Sequence, residues 1–105
     1  MTTIKERTET VRVLLSAKAL LESDGWGQGL YFGPAGPCLV GACLIANGGD
    51  QPGDIFDDNV WRSVMATLHE SLSVAEGDSL SMWNDKPGRT KAQVIALLER
   101  AVRFA

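Results

Sequence analysis

The stretch WGQGLYFGPAGP, residues 26–37, places four glycines and two prolines within twelve residues. No helix runs through such a segment, because glycine carries the largest backbone entropy cost and proline removes an amide donor. Any helices must therefore lie on either side of it, and the segment itself must be a shaped connection. Leu30-Tyr31-Phe32 suits an extended strand, and a return across Gly33-Pro34-Ala35-Gly36 would make a minimal β-hairpin that Pro37 keeps small.

On both sides, apolar residues recur at helical intervals. Residues 3–23 read as a first helix: Thr3 and Glu6 have capping-box spacing, Ile4, Val11, Leu14, Leu15 and Leu21 form its apolar set, and Asp24-Gly25 stops it. Lys5/Glu9 and Lys18/Glu22 are spaced for i,i+4 pairs. A short second helix follows, with Pro37 at its first position and CLVGACLIA apolar on every face, closing at Asn47-Gly48. Its composition predicts the central, buried helix, and Gly41 marks a point where a backbone or an indole packs closely.

From Asn47 to Asn59 the chain has four Asp and no Lys or Arg, a long acidic loop. Asp57 or Asp58 then caps a third helix, on which Val60, Val64, Leu68 and Leu72 share a face flanked by Trp61 and Met65, with an end near Glu76-Gly77. LSMW and the turn NDKPGRT lead to a last helix. There Thr90 and Gln93 form a second capping box, and Val94, Leu97, Leu98, Ala101 and Phe104 form the buried stripe. The expected fold is mainly α: a compact four-helix single domain over residues 1–105, frayed over the first ten, with a short buried second helix, the acidic loop and a minimal β-hairpin. At 105 residues and 45% hydrophobic content there is material for one core.

Charge narrows the function classes. Ten Lys and Arg against thirteen Asp and Glu leave a formal charge of −3, so no nucleic-acid partner is expected. The chain has no apolar run of membrane-spanning length, and MTTIKERTETVR is polar rather than signal-like, which predicts a cytoplasmic protein with no membrane partner. Cys38 and Cys43, five apart in one helix, point in different directions and read as reduced, buried thiols.

Four constellations carry candidate chemistry. Cys38 at a helix start would feel the positive end of the dipole, which lowers a thiol pKa, and His69 is the one histidine available as a base. Cys38, Cys43 and His69 lack the spacing of a zinc site, and Asp50, Asp54, Asp57 and Asp58 do not match a calcium loop. Neither metal nor cofactor is expected. Gly88, Arg89 and Lys91 at the start of the last helix could hold an anion, although the capping box already occupies some of those amides. Trp26-Gly27-Gln28-Gly29 and Trp83-Asn84-Asp85 each set an indole beside polar groups, as a ligand pocket does and as a core plug also does. Trp26, Gln28, Trp83, Asn84, Asp85 and Arg89 are therefore the ligand-site candidates, and Asp54, Asp57 and Asp58 the candidates for partner contact.

Trp83-Asn84-Asp85, Pro87-Gly88-Arg89-Thr90 and QVIALLERA resemble the C-terminal signature of a family of small actinobacterial and actinobacteriophage proteins, domain of unknown function 6197. AKALLESDGWGQG resembles that family's first helix ending in Gly-Trp-x-Gln, and Cys38, Gly41 and Ala42 its Cys-x-x-Gly-Ala segment. The resemblance covers the chain from about Val11 onward. LYFGPAGP is shorter than the family's Asp/Gly-rich connection, and Cys43 is an addition. The resemblance implies a fold and an actinobacterial or phage source, but carries no activity with it. With no catalytic constellation standing out, the expected function is a noncatalytic interaction or regulatory protein that binds a host protein or self-associates. The alternatives are small-ligand or anion binding and, behind these, a thiol-dependent enzyme using Cys38.

Overall fold

Local chemistry sets where each helix begins and ends in the computed structural model, which describes residues 4–48, 58–72 and 79–105. In chain order these form α1 (Ile4–Asp24), β1 (Phe32–Gly33), β2 (Gly36–Pro37), α2 (Leu39–Ala46), α3 (Asp58–Ser71), α4 (Leu80–Asp85) and α5 (Lys91–Phe104). Helix dominates, as the periodicity requires. Gly25, with φ of +94°, ends α1 in the left-handed region that favours glycine. α5 opens on the anticipated capping box: the Thr90 side chain accepts from the Gln93 N–H at 3.2 Å, and the Gln93 side chain accepts from the Thr90 N–H at 2.9 Å.

Three features differ from the sequence expectation. Among the described residues there are five helices rather than four, because Ser79 caps a six-residue α4 by accepting from the Met82 N–H at 3.2 Å. One and a half turns are too short to show a period. Pro37 does not open α2; it lies in β2 opposite Phe32, and Cys38 takes the cap position instead, its Sγ accepting from the Gly41 N–H at 3.4 Å. A proline without an N–H fits a two-residue strand as well as it fits a helix start. Lastly, α1 rather than α2 is the shared element, packing against α2, α3 and α5.

The third difference also moves α1's buried face. Thr10, Val13, Leu14, Ala17 and Leu21 are buried, while Ile4 and Leu15 are exposed, as is Phe104 on α5. Three neighbouring helices select a stripe that includes a threonine, whose hydroxyl donates to Ser63 Oγ at 2.8 Å. The core joins this stripe to Leu39, Ala42 and Cys43 of α2, Val60, Val64 and Leu68 of α3, Leu80 and Trp83 of α4, and Val94, Leu97, Leu98 and Ala101 of α5. Glu9 pairs with Arg12 at 2.9 Å and Lys18 with Glu99 at 3.4 Å, in place of the i,i+4 pairs.

The two strands pair antiparallel, Phe32 with Pro37 and Gly33 with Gly36. The Thr3 cap and most of the acidic loop with Asp50, Asp54 and Asp57 lie outside the described residues, whereas α3 ends at Ser71, short of the end near Glu76-Gly77 that the sequence suggested. No helix among the described residues is long and apolar enough to cross a membrane.

Candidate functional site

The Gly-rich connection is anchored by one side chain. Asn84, at the end of α4, is fully buried at 0% exposure and has every hydrogen-bonding position filled. Its Oδ1 accepts from Trp26 Nε1 at 2.7 Å and from the Leu39 N–H at 3.0 Å, while its Nδ2 donates to the Gly27 carbonyl at 3.2 Å and to Asp85 Oδ1 at 2.9 Å. One amide thus joins the exit of α1, the start of α2 and the end of α4. Gln28 reinforces the junction, its Nε2 donating to the carbonyls of Asn84 and Lys86 at 2.9 and 3.1 Å, groups that the end of a helix leaves without intrahelical partners.

Glycine makes the approach possible. A Cβ on Gly41 would fall on the Tyr31 carbonyl, so the backbone of residue 31 lies directly against α2, as the sequence placed a close neighbour there. The Cys38 N–H donates to that same carbonyl at 3.1 Å. Gly36, at φ +131°, lies against the Gly25 backbone in the same way.

Trp26, Gln28, Asn84 and Asp85 are therefore brought together. Trp83 and Arg89 form a separate pair: Arg89 Nε donates to the Trp83 carbonyl at 2.9 Å, and its guanidinium carbon sits 3.9 Å from the centroid of the buried indole. The pair borders a cavity of about 210 Å³ that also meets Leu72, Gln93 and Arg100. Trp26 does not line it.

A larger cleft of about 360 Å³ opens beside the Asn84 junction, lined by Gly29, Leu30, Tyr31, Cys38, Ser81 and Asp85. Cys38 presents a thiol to it, but burial pushes that thiol's pKa up and outweighs the lowering by the α2 amides, reversing the shift expected from the helix dipole alone. His69 is exposed in the last turn of α3 and does not line this cleft. Asp58 is the exposed first residue of α3, while Asp54 and Asp57 lie outside the described residues. Among the described residues no three His, Cys, Asp or Glu side chains group as metal ligands would.

Nothing in the sequence singled out Ser81 or the outward direction of Leu30 and Tyr31. The available signal was three large apolar side chains in succession on a glycine-flanked connection, a pattern that reads equally as a buried strand.

Neither a curated protein nor a solved structure matches the chain. A family model does match, over residues 5–104, nearly the whole length and including every motif of the Asn84 junction. The chain belongs to that family, the family of unknown function DUF6197.

Proposed function

We propose that this protein is a noncatalytic binding module that works by contact with another protein, through the ridge Leu30-Tyr31-Phe32. The observation that carries this reading is the exposure of those three consecutive side chains, 61%, 52% and 44%, on a backbone held in place from below by Gly41, Cys38 and Asn84. A rigid, exposed apolar ridge avoids most of the ordering cost of association, and aromatic side chains contribute much of the energy at protein interfaces. The acidic residues Asp54, Asp57 and Asp58 would add a charged part to the contact surface. A host protein in an actinobacterial cytoplasm, for a chromosomal or phage-encoded chain, is the partner that the family resemblance favours, with a second copy of this chain as the other case.

Trp26, Gln28, Asn84 and Asp85 serve this reading as the frame that presents the ridge, while Trp83 and Arg89, paired at the other cavity, remain candidates for ligand contact. Affinity capture from an actinobacterial lysate, with the wild-type chain and a Leu30→Ser/Tyr31→Ser/Phe32→Ser variant as baits, tests it alongside light scattering of both. The expected result is a near-stoichiometric partner, or a concentration-dependent dimer, that the variant loses while staying folded. A monomer that captures nothing, or a partner retained by the variant, would overturn the ridge as the contact surface.

A further inference from the structure

The cleft beside the ridge has chemistry of its own, independent of any protein partner. Its volume of about 360 Å³ falls within the range of small-molecule sites. Four segments meet there: the connection through Gly29, Leu30 and Tyr31, the start of α2 at Cys38, and Ser81 and Asp85 near the two ends of α4.

Among the described residues Asp85 is the single charged side chain on the lining. Its Oδ1 is committed, accepting from the Gly29 N–H and from Asn84 Nδ2, both at 2.9 Å. These two bonds fix the plane and direction of the carboxylate. Among the described residues Oδ2 accepts nothing, and the ion pairs present are Arg12 with Glu9 and Lys18 with Glu99, so no side chain answers the Asp85 charge. A carboxylate with one oxygen fixed and the other unengaged, at the edge of a cleft, is a preorganised acceptor.

The rest of the lining narrows the ligand class. Leu30 and Tyr31 supply an aliphatic and an aromatic wall, Ser81 a hydroxyl, and Cys38 a thiol that burial keeps in its neutral form. An anion would meet only repulsion from Asp85. A hard metal ion would want several oxygen ligands and here has one carboxylate, with no group of three ligating side chains among the described residues. An ammonium needs one carboxylate, and an aromatic wall favours it further.

We infer that the cleft between Tyr31 and Asp85 binds a small organic cation, an ammonium group carried on a short apolar or aromatic stem. Asp85 Oδ2 takes the ammonium by a charge-assisted hydrogen bond, and Leu30 and Tyr31 cover the stem.

Titrating the full ¹⁵N-labelled chain with 2-phenylethylammonium chloride tests this, with 2-phenylethanol and phenylacetate as the neutral and anionic counterparts at matched ionic strength. Saturable shifts of the Gly29, Tyr31 and Asp85 amides are expected, with the alcohol binding at least about tenfold more weakly and phenylacetate not at all. Asp85→Asn keeps an acceptor for the Gly29 N–H and should weaken ammonium binding by about tenfold or more. Tyr31→Ala removes an exposed side chain and should weaken it by about threefold to tenfold. Equal binding of ammonium and alcohol, shifts that map elsewhere, a folded Asp85→Asn chain of unchanged affinity, or no shift up to about 20 mM would overturn the assignment. Should Asp85→Asn fail to fold, the ammonium-to-alcohol ratio on the wild-type chain and on Tyr31→Ala decides. The protein partner plays no part in these readouts, so loss of either proposal leaves the other standing.

Discussion

The Asn84 junction and the Leu30-Tyr31-Phe32 ridge are neighbours in space and opposites in chemistry. At the junction an amide side chain is entirely buried; on the ridge, leucine, tyrosine and phenylalanine are all substantially exposed. This reverses the usual order of burial, and the reason is backbone demand. The glycine-rich connection has few side chains with which to pack, so its position is set by hydrogen bonds to its main chain, and Asn84 can donate and accept at once. The ridge, held from beneath by those bonds, needs no apolar contact of its own to stay in place. Polar motif residues thus build the frame, and apolar residues form the accessible surface.

Asn84→Ala would break this comparison most directly. It leaves the Trp26 Nε1–H, the Leu39 N–H and the Gly27 carbonyl without their partner, at about 1–3 kcal/mol for each buried group left unsatisfied. A net loss of about 3–5 kcal/mol, against a typical total of about 5–10 kcal/mol for a domain of this size, would remove roughly half of the stability and bring the urea midpoint down in proportion. A loss below about 1 kcal/mol would mean that the junction does not hold the connection.

Gly41→Ala comes next. Its methyl would fall on the Tyr31 carbonyl, so despite about 1 kcal/mol gained in helix propensity the chain should lose about 2 kcal/mol net, with the Tyr31 and Cys38 amides losing protection from hydrogen exchange. An unchanged midpoint would show that the connection can move away from α2.

The thiols give a smaller, pH-dependent effect. Burial pushes Cys43 from its ordinary 9.0 up to about 12, and Cys38 shifts in the same direction. Above pH 9 the unfolded chain releases these protons and the folded chain retains them, so the contribution is fully present below pH 9 and is lost as pH rises toward 12. Stability should fall by about 1 kcal/mol by pH 10, and Cys43→Ala should flatten that slope even though it lowers the starting value. Alkylation of the folded chain at pH 8 should be slow at both thiols, and rapid reaction of Cys38 would restore a thiol-dependent activity to consideration.

The ridge should produce the smallest effect on stability. Leu30→Ser and Tyr31→Ser are each expected to shift the unfolding free energy by no more than about 0.5 kcal/mol while removing partner binding. A loss several times larger would show that the ridge belongs to the fold after all.

Legibility in the sequence followed the same division. α3 and α5 carried strong one-sided periodicity and clear capping, and Val60, Val64, Leu68, Val94, Leu97, Leu98 and Ala101 are all buried as that pattern required. α1 misled because helices pack on it from several directions, so its buried stripe runs through Thr10 and Ala17 and leaves Leu15 outside. α4 was invisible as a helix because six residues are fewer than two turns. In the candidate site, Trp26, Gln28, Asn84 and Asp85 stood out as a motif, but a motif does not say whether its polar atoms face a ligand or one another.

By itself the sequence determined the helical class, the end of α1 at Asp24-Gly25, the α5 cap and the close approach at Gly41, because each depends on residues a few positions apart or on a single backbone property. Tertiary structure alone decided that Trp26 and Leu39 share one acceptor on Asn84, that the Cys38 thiol is raised rather than lowered, and that Leu30 and Tyr31 line a cleft with Asp85. The physical reason is distance along the chain: hydrogen-bond satisfaction and desolvation depend on which surfaces meet, and here those surfaces come from segments up to 58 residues apart.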